Sequence, residues 1–120
     1  MIAQMLEQRL GGYSSTESRI LTDEGVKAAD AVWCHPSRWN EVSYEDVFLK
    51  APEVCIGVLW PGNMRIELEH KRALYFAAGA HEVWFCDGDN NISFFNPEGL
   101  LEKSNICPAF PSKIDTKPPA

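Results

Sequence analysis

The segment Ala51–Asn63, APEVCIGVLWPGN, constrains this chain more than any other. Val54, Ile56 and Val58 alternate with Cys55 and Leu59, which is the pattern of a buried strand, and Pro61-Gly62 marks the turn that ends it. Gly57 interrupts that strand. A glycine inside an apolar strand gives up packing and backbone entropy, so it marks a bulge or a close approach by another group.

The elements around it fall in a readable order. IAQMLEQRL places Ile2, Met5, Leu6 and Leu10 near helical spacing, and Gly11-Gly12 stops the helix. SRILTDEGV reads as a short strand and a turn at Asp23-Glu24-Gly25, with Ser14-Ser15-Thr16 as a loop before it. KAADAVWC reads as a second strand centred on Ala31 to Trp33, opened by Asp30. HPSRWNEVSYEDVFLK is a connection with a turn or two of helix. After the Gly57 strand, opened by Glu53, NMRIELEHKRALYFAAG predicts a helix capped by Asn63 and ended by Gly79. Ile66, Ala73, Leu74 and Ala77 are its candidate core stripe. HEVWFCD, a GDNN turn and ISFFN form an aromatic hairpin, and LLEKSN can add an edge strand. Helix, three strands, helix and two or three strands make an α/β (α+β) layer structure, a small mixed sheet with helices on its faces.

Composition limits the function classes. At 120 residues the chain fits one domain, expected over residues 1–114, with PSKIDTKPPA suggesting a mobile tail at 115–120. No apolar run approaches the roughly 20 residues that span a bilayer. The start lacks the pattern of a secretory signal, so a cytoplasmic location is expected. A net charge of −6 argues against a general nucleic-acid coat but permits a local basic patch or a carboxylate cluster. Cys34, Cys55, Cys86 and Cys107 form no CxxC pair, and buried reduced thiols account for them better than zinc. His35, His70 and His81 share no spacing and read as surface or satisfied histidines. CDGDNNISFF lacks the spaced ligands of a calcium loop.

AADAVWCHPSRW, APEVCIGVLWP, ELEHKRALYFAAGAHEVWFCD and CPAFP, in that order and spacing, resemble the Uma family of putative restriction endonucleases, within the PD-(D/E)XK nuclease superfamily. Lys71 and Tyr75 keep that family's four-residue offset, and Glu82-Val83-Trp84 and Asp87 follow in register. The resemblance spans roughly Arg19 to Ile114. It implies a restriction-endonuclease-like fold, a central mixed sheet flanked by helices, and metal-dependent hydrolysis of DNA phosphodiesters. It also implies magnesium or manganese as cofactor, with Asp30 as the first carboxylate, the Val58 carbonyl as a further metal ligand and Lys71 as the catalytic lysine. Such chemistry needs a hard cation held by oxygen ligands and a lysine to steady the phosphate.

The family's second carboxylate falls on Gly57. Ala29 replaces the usual proline before Asp30, and Trp60 replaces a serine. Glu53 shares a face with Gly57 but lies about 13 Å away along an extended strand, so as a metal ligand it is a weak substitute. Glu67, one turn before Lys71, is the better rescue candidate. Each residue has a plainer reading: Asp30 as a turn residue, Lys71 as a surface lysine paired to Glu67, and Trp33, Trp60 and Trp84 as core or dimer-face aromatics. Three functions remain open: a DNA endonuclease domain with a degenerate, weak or inactive site, a non-catalytic nucleic-acid- or protein-binding assembly module, or a zinc-stabilised structural domain. Trp60 and the aromatic hairpin further predict a homodimer.

Overall fold

The computed structural model describes residues 2–60, 62 and 64–114. Eight strands form one mixed sheet in the order β3-β4-β1-β2-β5-β6-β7-β8. The chain runs α1 (Ile2–Leu10), β1 (Tyr13–Thr22), β2 (Gly25–Cys34), α2 (Pro36–Val42), β3 (Ser43–Tyr44), β4 (Val47–Phe48), β5 (Val54–Val58), α3 (Arg65–Ala77), β6 (Glu82–Cys86), β7 (Ile92–Asn96) and β8 (Gly99–Leu101).

The sheet separates two cores. On one face, Ile2, Ala3 and Leu6 of α1 pack with Trp33, Ile56, Trp84 and Phe94, and the segment carrying Cys107, Phe110 and Ile114 closes that layer. On the other, Leu68, Tyr75 and Phe76 of α3 cover Ile20, Val32, Cys55, Val83 and Phe85. β5 and β6 pair in parallel, Val54 beside Glu82 through Val58 beside Cys86, with α3 as the crossover between them. This β5–α3–β6 unit suspends the helix over Gly57.

Two side chains anchor the layers. The Glu82 carboxylate is 2% exposed and accepts hydrogen bonds from Trp84 Nε1 (2.8 Å), Ser104 Oγ (2.6 Å) and the Asn105 amide (2.8 Å). It thereby pins the segment after β8 to the sheet. The Tyr75 hydroxyl donates to the Ala28 carbonyl at 3.1 Å and ties α3 to β2. Burial pushes its phenol well above the usual range, so it stays a neutral donor.

Several expectations need correction. Ser14-Ser15-Thr16 is not a loop but the first part of a ten-residue β1. Asp30 lies inside β2 rather than at its start, and Glu53 precedes β5. The β3–β4 hairpin was not foreseen. In α3, Ile66 is 68% exposed and Ala73 and Ala77 also face solvent, because the helix presents Leu68, Leu74 and Tyr75 to the sheet instead. The aromatics Trp84, Phe85 and Phe94 of the β6–β7 hairpin are already buried within the chain, so they offer no dimer face. Asn63, expected to cap α3, and the tail at 115–120 lie outside the described residues.

Candidate active-site cleft

Asp30 occupies an irregular point of β2. The β1–β2 ladder pairs Thr16 with Ala31 and Ser18 with Ala29, leaving out Glu17 and Asp30 between them. Glu17 has φ 49°, a left-handed conformation that costs a non-glycine residue about 1 kcal/mol. Ala29 and Val32 both face the α3 layer although they are three residues apart, which regular alternation forbids. The strand therefore turns over at Asp30, where one residue on each strand leaves the ladder and the register on either side is unchanged.

The re-aimed carboxylate meets β5. Asp30 Oδ2 accepts the Val58 amide proton at 2.6 Å. In an extended strand the N–H and C=O of one residue point to the same side, so the Val58 carbonyl also faces Asp30. The β2–β5 register, with Ala31 opposite Ile56, places Asp30 opposite Gly57 one step on. From α3, Glu67 and Lys71 reach the same cleft at i,i+4 spacing. The cleft holds about 260 Å³, bounded by Leu68 and Phe85 within and Trp60 at its rim. Asp30, Gly57, Val58, Glu67 and Lys71, named from the sequence, thus converge on one space.

Lys71 is not paired to Glu67 as a surface lysine would be. Among the described residues its ammonium forms no ion pair and lies over the Tyr75 ring, 5.9 Å from the centroid. Glu53 stays away from the cleft. Its carboxylate accepts the His35 amide at 2.9 Å and faces the Arg38 guanidinium at 3.3 Å, fixing the start of α2. The same carboxylate, after burial itself, helps push the Cys34 thiol up to about 12. Glu53 is therefore a structural ion-pair partner rather than a metal ligand.

Gly57 is filled from the side. A Cβ built there would stand 3.1 Å from Cδ1 and Cε1 of Phe85 and 4.0 Å from Asp30 Oδ2. Phe85, its register partner on β6, occupies the space a side chain at 57 would enter. The sequence held no signal for Phe85 as a cleft residue. The residues present do not fit a two-carboxylate magnesium centre: the strand supplies one carboxylate, one of its oxygens is engaged by an amide, and the described residues hold no three-residue His/Cys/Asp/Glu cluster able to bind a metal.

The profile of the Uma2 family, described as "Putative restriction endonuclease", matches residues 1–112. The chain belongs to the Uma2 family. Its fold is restriction-endonuclease-like and is shared with the crystal structure of a putative nuclease belonging to DUF820 from Anabaena variabilis, with a TM-score of 0.62 at 16% identity. That similarity covers 81% of this Uma2 chain and 56% of the other, so the chain spans just over half the length of that structure. No curated protein matches it in sequence. No helix among the described residues is long and apolar enough to cross a membrane.

Proposed function

We propose that this Uma2 chain is a DNA-directed endonuclease domain, one folding unit over residues 1–114, whose phosphodiester-cleaving site is degenerate. The family supports the substrate class, and the cleft supports the loss. The observation that carries the reading is Gly57, opposite Asp30 and covered by Phe85, where a second carboxylate is needed. A magnesium or manganese ion held by Asp30, the Val58 carbonyl and Glu67 would keep mostly water ligands and bind weakly. Four buried thiols without disulfides fit a reducing, cytoplasmic setting.

The test is supercoiled plasmid incubated with the purified protein in magnesium or manganese. Little or no nicking is expected. Efficient cleavage that disappears in Asp30→Ala overturns the degenerate reading, and its loss in Glu67→Gln would show that the helix carboxylate has taken over.

A second reading, a binding or assembly module on the nuclease fold, is favoured by the apolar rim. Trp60, Met64 and Ile66 are 69%, 59% and 68% exposed around the entry to α3, which suits a homodimer or another protein contact. A monomer mass by light scattering at high micromolar concentration counts against the homodimer.

A further inference from the structure

A second cavity, wider than the cleft, lies beside it. It holds about 430 Å³ and meets the Asp30 cleft at Leu59, Leu68 and Phe85, which line both. The strand order accounts for it. α3 is the crossover from β5 to β6, so β7 and β8 extend past the helix on that face of the sheet. Phe95 of β7 and its register partner Leu100 of β8 floor the groove, and Leu100 is 69% exposed.

The helix side of the groove carries its charge. Arg65 is paired with Glu69 at 3.0 Å, so those two charges offset each other. Arg72 is different. Its guanidinium lies over the Phe95 ring, 4.1 Å from the centroid, and forms no ion pair among the described residues. Phe85 meets Phe95 edge to face with centroids 5.8 Å apart, which steadies the ring beneath the guanidinium. The groove thus sets one uncompensated cation beside an apolar floor of Leu59, Phe95 and Leu100. Its complement is an anion joined to a flat apolar ring.

We infer that this groove receives the base of an unpaired nucleotide next to the phosphate in the cleft. The base lies on the Leu59–Leu100 floor against the Arg72 guanidinium, whose charge offsets the phosphates of the same strand. The inference rests on the endonuclease reading and gives it a substrate class, single-stranded or unpaired DNA in preference to duplex. Continuity selects this occupant, because the two cavities share a wall and what fills the second is joined to what enters the first. Chemistry selects it too, since every base has a π-face that stacks on aromatic rings and on arginine. In a duplex that face is already stacked, and the base must leave the helix to reach such a groove, whereas a single strand offers it freely.

The experiment follows fluorescence anisotropy of end-labelled probes of about 12 nucleotides with the whole protein, a metal chelator and moderate salt. The probes are an oligothymidylate, the same phosphodiester chain with abasic residues, and a thymine–adenine duplex. The thymine strand should bind about tenfold more tightly than the abasic one, the worth of a stacked base, and more tightly than the duplex. Arg72→Gln and, separately, Leu100→Glu should each collapse the preference for thymine over abasic strand. Leu100 is exposed, so its replacement leaves the core intact. An Arg72 that merely shields Phe95 from water would shift the melting temperature and leave the preference untouched. Equal affinity for the thymine and abasic strands, tighter binding of the duplex, or a preference that survives in either variant overturns this inference. Lys71→Met weakening all three probes would then keep the endonuclease reading alone. If no probe binds, both fall. Thymidine monophosphate binding as tightly as the strand assigns the groove to a free nucleotide and overturns the inference as well.

Discussion

Asp30 faces Gly57 across the β2–β5 pair, and the Cβ that Gly57 lacks would stand 4.0 Å from the Asp30 carboxylate. A side chain at position 57 would therefore start beside the Asp30 carboxylate, but the Phe85 ring lies 3.1 Å from the same point and fills that space.

Restoring a carboxylate accordingly needs two changes. Gly57→Glu alone drives its Cβ into the Phe85 ring and should destabilise the protein by about 1–3 kcal/mol. Adding Phe85→Val opens the space, and the double variant should bind manganese more tightly than the wild type by calorimetry. Asp30→Ala should cancel that gain. Tight manganese binding by Gly57→Glu alone would show that Phe85 is no obstacle.

Asp30 also has a structural duty that a pure metal ligand would not have. Its 2.6 Å hydrogen bond to the Val58 amide joins two strands, so Asp30→Ala should cost about 1 kcal/mol in urea denaturation. Asp30→Asn retains an acceptor oxygen and should cost less. A gain of stability in Asp30→Ala would mean that repulsion from Glu67 outweighs the amide bond.

These two residues also show what the sequence could and could not disclose. Asp30, Gly57 and Lys71 were legible only through the resemblance to the Uma family, whose motif order places them, whereas Glu67 followed from its i,i+4 spacing to Lys71. The alternation of β2 broke at Asp30, however, through a left-handed Glu17 on another strand, which no local pattern announces. Phe85 looked like any core aromatic, since cross-strand register is set by the whole sheet. Ile66 misled for a related reason: its apolarity suggested a core stripe, but the Tyr75 anchor to Ala28 fixes the rotation of α3 and turns Ile66 outward.

Glu53 separates stability from metal binding. Its side chain is 8% exposed against Arg38, and removing one partner of a buried pair leaves the other charge uncompensated. Glu53→Ala should cost about 3 kcal/mol in denaturation while leaving manganese affinity unchanged. A fall in manganese affinity without a fall in stability would return Glu53 to the list of ligands.

Alkali should weaken the fold through the buried thiols. Burial, then Glu53, raises Cys34 from its usual value near 9 up to about 12. A raised folded value means full stability below pH 9, lost progressively as pH climbs through the window to about 12, because only the unfolded thiol ionises freely there. Urea midpoints should fall between pH 8.5 and 10.5, and less so in Cys34→Ala. Equal slopes for the two proteins would assign the alkaline loss to other groups.

Lys71 and Glu67 give opposing predictions for DNA. An ammonium without an ion pair can contact a phosphate, whereas Glu67 on the same helix face repels one. With a net charge of −6, affinity for a short duplex should be weak, near the upper end of the roughly 10⁻⁶ to 10⁻⁴ M range of non-specific binding. Lys71→Met should weaken it at every DNA sequence and reduce the slope of log affinity against log salt by about one, the contribution of a single phosphate contact. Glu67→Gln should strengthen binding, since it removes a negative charge near the path of the backbone. Fluorescence anisotropy across a salt series measures both. A metal chelator throughout keeps the comparison to direct electrostatics. If neither substitution moves the affinity, DNA does not enter the cleft, and the apolar rim around Trp60 becomes the place to seek this domain's partner.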